Sequence, residues 1–392
     1  MRTFRSLRHR NYRLYFIGQM VSLIGSWTQI TALMWLAHTK SEESSRWPAF
    51  LAAAQLGPTF LFGAWGGRLA DRIPKRPLII STQCVFFVCA IALLMLHSSG
   101  KLTLWAMLVV MLMHGAAQAI DLPARLSFLP NLVARTDLSN AVALNSLLFN
   151  VARATGPALA AMLLSSLGAS WCFLLNALSY VAVIAALAWI YVPLPEGKGV
   201  PTIGGAWRAL GSVPGLLTLA LLAGVVAGHA WPLLALLPSF AAKELALAEG
   251  GYGTLLSSVG IGALAAALTA ATAGSDIRPK VLLVGGLLAV CGALAGLWFA
   301  TTLPVSACCC VLFGFGMILF FATGQSVVQL STKDADRGKV MGVWAMMLSA
   351  GVPLGNLVLG PAADLYGVKT IILVQAIAIT LATVALMFRR VG

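Results

Sequence analysis

Charge is what this chain most lacks. Only 10% of its 392 residues are Asp, Glu, Lys or Arg, against about 25% in an ordinary soluble domain. Acids are the scarcer sign, with 12 Asp and Glu against 26 Lys and Arg. So few ionised groups cannot coat a body of this volume, which excludes a water-soluble globular protein. With 59% hydrophobic residues, an unfolded, solvated chain is excluded too. Catalytic sets are also missing. There is no His-Glu-x-x-His pair, no Ser/His/Asp set and no Gly-x-x-x-x-Gly-Lys-Ser/Thr phosphate loop. The last absence excludes an ATP-driven pump within this chain, and the others argue against a membrane-embedded enzyme. Cysteine is sparse and odd in number: Cys84, Cys89, Cys172, Cys291, Cys308, Cys309 and Cys310 all fall in apolar runs. They read as packing residues; no metal and no cofactor is expected. A cleavable signal is missing as well, because the apolar stretch after the basic start continues to about residue 38.

What the chain has in abundance is apolar length, with a mean hydropathy of +0.90. A helical span takes about 20 apolar residues, and breakers divide the sequence into twelve such stretches. They run over 12–37, 48–67, 77–97, 102–122, 139–166, 171–192, 216–238, 252–273, 281–300, 303–330, 339–361 and 369–388. Each is continuously apolar, without the alternation of a β-barrel strand. The expected fold is therefore an all-α membrane protein of twelve transmembrane helices. With the N-terminus cytoplasmic, twenty of the 26 Lys and Arg fall in inside loops, five fall outside and Arg153 lies within a span. That asymmetry places both termini in the cytoplasm. The net charge of +14 thus reads as a topology signal and a contact with anionic lipid, and no nucleic-acid partner is expected.

The chain also repeats itself. Gly156, Gly168, Asn176 and Ala177 correspond to Gly355, Gly367, Gln375 and Ala376 at a constant offset of 199, and Asp137 corresponds to Asp336. A second echo joins Asp71, Lys75 and Arg76 to Asp276, Arg278 and Lys280. The division is an N-terminal six-helix half (1–192), a cytoplasmic linker (193–215) and a C-terminal six-helix half (216–392). Parallel repeats of this kind belong to transporters whose site lies near the midplane between repeats.

Several strings carry mechanism. After the second span comes Gly66-Gly67-Arg68-Leu69-Ala70-Asp71-Arg72-Ile73-Pro74-Lys75-Arg76. Glycine permits close helix approach, and an acid followed by bases on a tight loop suits a gating latch. This string resembles the signature loop of the major facilitator superfamily, with Pro74 where that pattern usually has Gly. The strings Ile120-Asp121-Leu122-Pro123-Ala124-Arg125, Arg153-Ala154-Thr155-Gly156-Pro157-Ala158 and Cys172-Phe173-Leu174-Leu175-Asn176-Ala177 resemble its bacterial siderophore- and drug-exporting branch. The opening Phe4-Arg5-Ser6-Leu7-Arg8 and the late Arg337-Gly338-Lys339-Val340-Met341-Gly342 fit the same branch. Gly156-Pro157 is similar to the core of the superfamily's antiporter motif, although Ala152, Ala160 and Ala161 stand where Gly is typical. The resemblance implies gating roles for Gly67, Asp71, Arg72, Lys75, Arg76, Gly156, Pro157 and Arg337.

Ionisable groups inside a bilayer are costly and therefore informative. Arg153 lies near mid-depth of span five and could hold an anionic group of a substrate or pair with an acid. Asp121 has two readings: a proton-coupling acid, or a structural partner of Arg125 or Arg153, with Pro123 disturbing the turn toward Arg125. His114 and His229 lie deep in spans four and seven, either as proton carriers or as hydrogen-bonded packing residues. Asp364 is a gate residue or a solvated one. Gln29, Asn145, Trp231, Gln325 and Asn356, with Arg153, are the expected lining of a substrate cavity. The expected function is secondary active transport in a bacterial inner membrane: proton-coupled export of a small amphipathic molecule, drug- or siderophore-like, by a monomer. A lipid or lysophospholipid flippase of the same fold is the alternative; a passive channel fits a gated loop poorly.

Overall fold

A computed structural model of the chain describes residues 4–191, 215–272, 278–332 and 334–388, apart from the side chains at 270–272 and 334–339. The expected linker lies outside the described residues except for Gly215, as do the boundary at 192 and the side chain of Arg337.

Among the described residues every regular element is helical. In order they are α1 (Arg10–Lys40), α2 (Arg46–Arg72), α3 (Lys75–Ser98), α4 (Leu104–Phe128), α5 (Leu138–Ser166) and α6 (Ala169–Trp189). There follow α7 (Leu216–Ala230), α8 (Leu233–Ser239), α9 (Glu249–Thr272), α10 (Pro279–Phe299), α11 (Leu303–Ser331), α12 (Asp334–Tyr366) and α13 (Val368–Phe388). Lipid offers no partner to a peptide group, so each crossing segment must satisfy its own backbone, which a helix does. Eleven helical stretches are long and apolar enough to cross a membrane. The twelfth, α2, has 27 residues, about 40 Å at 1.5 Å per residue. Gln55, Gly57, Pro58, Thr59, Gly63, Gly66 and Gly67 dilute its hydropathy without shortening it.

The helices outrun the apolar stretches, because hydropathy marks the part that meets lipid and not the end of the hydrogen-bond ladder. Thus α4 continues through Pro123 to Phe128. Likewise α2 runs through Gly66-Gly67 to Arg72, so most of the expected signature loop is helix and the turn is only Ile73-Pro74. The expected span 216–238 is broken. Its first helix ends at Ala230, a new one starts at Leu233, and a π-helical turn follows at Phe240–Glu244. Pro232 and Pro238 cause this by withholding two backbone donors. In particular, Pro232 has no N–H for the Gly228 carbonyl four residues earlier.

The repeat is visible in local geometry. Helices α6 and α13 each have 21 residues, and the glycines before them, Gly168 and Gly367, both adopt φ of 86°. That left-handed backbone suits glycine because it has no Cβ. Helices α4 and α11 also begin at the common offset, after Thr103 and Thr302. By compactness the chain forms two units: Met1–Ala37 with Ala54–Val200, and His38–Ala53 with Pro201–Gly392. In the first, α3 packs on α4 and α6 around a core that includes Tyr12, Phe86, Phe128 and Tyr180. In the second, α11 packs on α9 and α10, α12 on α7, and α10 on α13.

Candidate functional site

The first unit carries a buried ionic cluster. Asp121 and Arg125 stand one turn apart on α4, and Arg125 Nε donates to Asp121 Oδ2 at 2.5 Å. From α3 the Thr82 hydroxyl donates to Asp121 Oδ1 at 2.6 Å and the Gln83 amide at 3.1 Å. Arg125 also donates to the side-chain oxygen of Gln19 on α1. Of the two readings of Asp121, the ion pair with Arg125 is formed. Pro123 does not prevent it, since the helix continues past the proline. Asp121 is only 7% exposed, and an isolated charge there would be expensive, so the cluster fixes both its members. Arg153 is not its partner. It is buried on α5 with its guanidinium 5.4 Å from the Trp27 ring centre on α1, a cation–π contact worth about 1–2 kcal/mol when desolvated.

His114 lies two turns before Asp121 on α4, its ring stacked on Phe86 with centres 4.4 Å apart. It borders a cavity of about 30 Å³ lined by Ser26, Gln29, Ile30, Gln55, Met111 and Tyr180, enough for one or two waters. Ser26 Oγ and the Tyr180 hydroxyl lie 3.1 Å apart on its wall. Gln29 Oε1 and His114 Nδ1 are buried with no hydrogen-bond partner among the described residues. Polar atoms left this way beside a wet-sized space are the ordinary signature of bound water. The structure thus brings His114, Gln29 and the Asp121 cluster into one unit on facing helices.

Gly156 meets its expectation of close approach. A Cβ there would strike Trp27 Cβ and come within 3.2 Å of the Thr28 nitrogen, while the Thr28 hydroxyl donates to the Gly156 carbonyl at 3.2 Å. Pro157 is buried beside it within an unbroken α5. The same crossing recurs in the second unit, where a Cβ on Gly355 would collide with the Gly228 carbonyl. At Gly67 a Cβ would meet nothing within 4 Å among the described residues, whereas one on Gly66 would strike the Ala119 carbonyl of α4. The glycine that allows the close approach is Gly66. Asp71 and Arg72 are exposed and Lys75 is half-buried, and Asp71 forms no ion pair among the described residues. Arg76 does have partners: it donates to the carbonyls of Leu187 at 2.7 Å and Ala188 at 2.5 Å. A cation on the last carbonyls of α6 is a helix C-terminal clamp.

The remaining expected positions are scattered. His229 bonds the Val225 carbonyl of its own helix at 2.9 Å, and Trp231 stacks on Phe321 with centres 6.4 Å apart. Asn356 is fully buried on α12 and donates to the Val352 carbonyl at 2.9 Å, while its Oδ1 has no partner among the described residues. Gln325 is exposed on α11 and Asn145 is half-buried on α5.

Compared with known families, residues 1–392 match the family described as transmembrane secretion effectors. The chain belongs to this family of the major facilitator superfamily. Its relatives include the staphyloferrin A transporter of Staphylococcus aureus, 25% identical over 91% of this chain and 90% of that protein. The enterobactin exporter EntS of Salmonella typhi is 25% identical over 90% of this chain and 85% of that one. Among solved structures, the fold is similar to a bacterial homologue of the human lysosomal transporter Spinster in an inward-facing, unoccupied conformation. The TM-score is 0.79 at 13% identity, covering 97% of this chain and 96% of that one. A POT family transporter in complex with 5-aminolevulinic acid gives a TM-score of 0.80 at 10% identity, over 97% and 96%. This member of the transmembrane secretion effector family is a multi-pass membrane transporter and not an enzyme.

Sequence reasoning missed three parts of the family member's first unit: the two α3 donors to Asp121, the Arg125–Gln19 bond, and the Ser26–Tyr180 wall. The available signal was polar side chains inside apolar runs, which usually find partners on neighbouring helices. Gln19, Thr82 and Gln83 all carried it.

Proposed function

We propose that this protein is a proton-coupled exporter of a small amphipathic organic molecule, siderophore-like in kind, working by alternating access of its two six-helix repeats. Support comes from relatives named as a staphyloferrin A transporter and an enterobactin exporter. The observation that carries the reading is the set of ionisable groups enclosed in the first unit: Arg153 over Trp27, the Asp121–Arg125 pair, and half-buried His114 at a small cavity. Such groups are retained inside a bilayer for function more often than for stability. Arg153 suits an anionic or polyhydroxylated group on the cargo. Asp121 is the coupling acid: protonation cancels its charge, frees Arg125 and changes which conformation is favoured, so a proton gradient can drive the cycle. His229 is held by its own helix and contributes less. The excess of Lys and Arg in the expected inside loops supports an orientation with both termini in the cytoplasm, across a bacterial inner membrane, and the proposed working unit is the monomer.

The test is flux in proteoliposomes of the purified chain, with enterobactin and staphyloferrin A as probes, with and without an imposed pH gradient. Gradient-dependent flux is expected, lost in Asp121→Asn. Flux indifferent to the gradient removes proton coupling, and no flux of either probe removes the siderophore-like cargo.

A further inference from the structure

Residues 38–53 belong to the second unit, although the helices on either side of that loop continue into the first. Within the second unit the loop meets α12 at one side chain. Asp364 Oδ1 accepts the Ser45 N–H at 2.5 Å, and Oδ2 accepts the Arg46 N–H at 3.3 Å and the Ser44 hydroxyl. Arg46 Nε also lies 3.9 Å from Oδ2. Arg46 is the first residue of α2, so Ser45 occupies its cap position. The Ser45 hydroxyl would ordinarily serve as the cap. It is turned away instead, donating to Ser239 Oγ at 2.8 Å, which in turn contacts His38 Nδ1 at 3.1 Å. Two backbone donors at the start of α2, those of Ser45 and Arg46, are met by a carboxylate from a residue more than 300 positions away, with Ser44 Oγ sharing the Arg46 N–H at 3.2 Å. A negative charge is well placed there, at the positive end of the helix dipole.

Two further observations describe the loop beside this contact, whose turn is closed by the Glu43 N–H on the His38 carbonyl at 3.0 Å. Glu42 and Glu43 adopt φ of 53° and 64°, a left-handed backbone that side chains resist and that persists only where the surroundings impose it. One turn before Asp364, Gly360 lets α12 come close: a Cβ there would strike Ala49 Cβ and lie 3.3 Å from Arg46 Cα.

We infer that Asp364 is a releasable latch, holding the strained α1–α2 loop on the second unit by capping α2, and that its opening limits turnover. The chain passes between units at this loop, so freeing the loop frees both helices that lead from it. Three features equip it for release rather than for permanent cohesion. The bond is polar and partly solvated, the strain favours opening, and Ser45 holds an alternative cap in reserve.

Hydrogen–deuterium exchange of the full chain in lipid nanodiscs tests this without any substrate. Asp364→Ala should speed exchange across Ser44–Ala49 by about tenfold, the scale of a lost helix cap. Exchange in α9, α10 and α11 should stay unchanged. Asp364→Glu should restore protection, and Ser44→Ala should give an intermediate value. The initial flux rate of Asp364→Ala in proteoliposomes should shift at least about threefold. Unchanged exchange at Ser44–Ala49, or faster exchange throughout the second unit, overturns the latch. Local release with unaltered flux overturns its control of turnover. Because the exchange arm needs no cargo, a failure of the export reading is seen separately.

Discussion

The two units are built to one plan and filled with different chemistry. In the first, Asp121 and Arg153 are buried inside the helices, with Arg125 paired to Asp121. In the second, among the described residues, no Asp, Glu, Lys or Arg is buried at all. The common offset of 199 makes the contrast residue by residue. Asp121 corresponds to Phe320, Arg125 to Gly324 and Arg153 to Val352, while Gly156 and Gly168 keep their glycine counterparts Gly355 and Gly367. What the repeats share is crossing geometry; what they do not share is charge. The second unit is held together by backbone proximity: a Cβ on Gly262 of α9 would collide with the Val311 carbonyl of α11, and one on Gly314 with that of Val259. Each repeat therefore keeps the glycines that set helix distance. Among the described residues the buried Asp and Arg side chains occur in one repeat only.

Breaking the ionic cluster should have the largest effect. Asp121→Ala leaves Arg125 buried without its counter-charge and should cost about 3–5 kcal/mol of stability, read as a large loss of thermal stability in detergent. Asp121→Asn keeps the size of the side chain but removes the same counter-charge and turns an amide NH2 toward one of the donors that met the carboxylate, so it should also lower stability, and gradient-driven flux should be lost in the protein that folds. Next comes the second unit's packing. Gly262→Ala should cost about 1–3 kcal/mol by forcing α9 off α11, with the pH dependence of flux unaltered in the protein that remains. A shifted pH profile there would break the division of labour. Arg153→Ala removes the contact with Trp27 and should cost about 1–2 kcal/mol. It should also weaken flux of anionic cargo selectively; equal losses for neutral and anionic probes would detach Arg153 from recognition. Arg76→Gln loses the clamp on the end of α6 and should cost about 0.5–1 kcal/mol, measured by faster amide exchange at that end. Gly67→Ala should be silent, within about 0.5 kcal/mol, while Gly66→Ala is not; equal effects would show that the two glycines are not distinguished by α4.

The spans were legible because lipid imposes a simple rule on composition, and the rule acts over stretches long enough to survive errors at their ends. The Asp121–Arg125 pair was legible as an i, i+4 spacing, although Pro123 was expected to disturb that turn. A proline of that kind costs one hydrogen bond, and the packed neighbours α1 and α3 hold the helix through it. Which of two adjacent glycines touches a neighbour was not legible. Gly66 and Gly67 differ only by 100° around α2, and the direction of α4 is a tertiary fact. The partners of Arg76 were not legible for a similar reason: that the end of α6 arrives beside it is a tertiary fact. The break at Trp231-Pro232 was hidden because Leu- and Ala-rich sequence on both sides keeps hydropathy high, and hydropathy does not register a missing N–H.

That missing N–H has a mechanical corollary. Pro232 leaves the Gly228 oxygen without its helical donor at the place where Gly355 comes closest. The oxygen faces a neighbouring backbone rather than its own ladder, where only weak Cα–H contacts can answer it. A Cβ at position 355 would have to displace that oxygen, so α7 and α12 keep this separation only while the position carries no side chain.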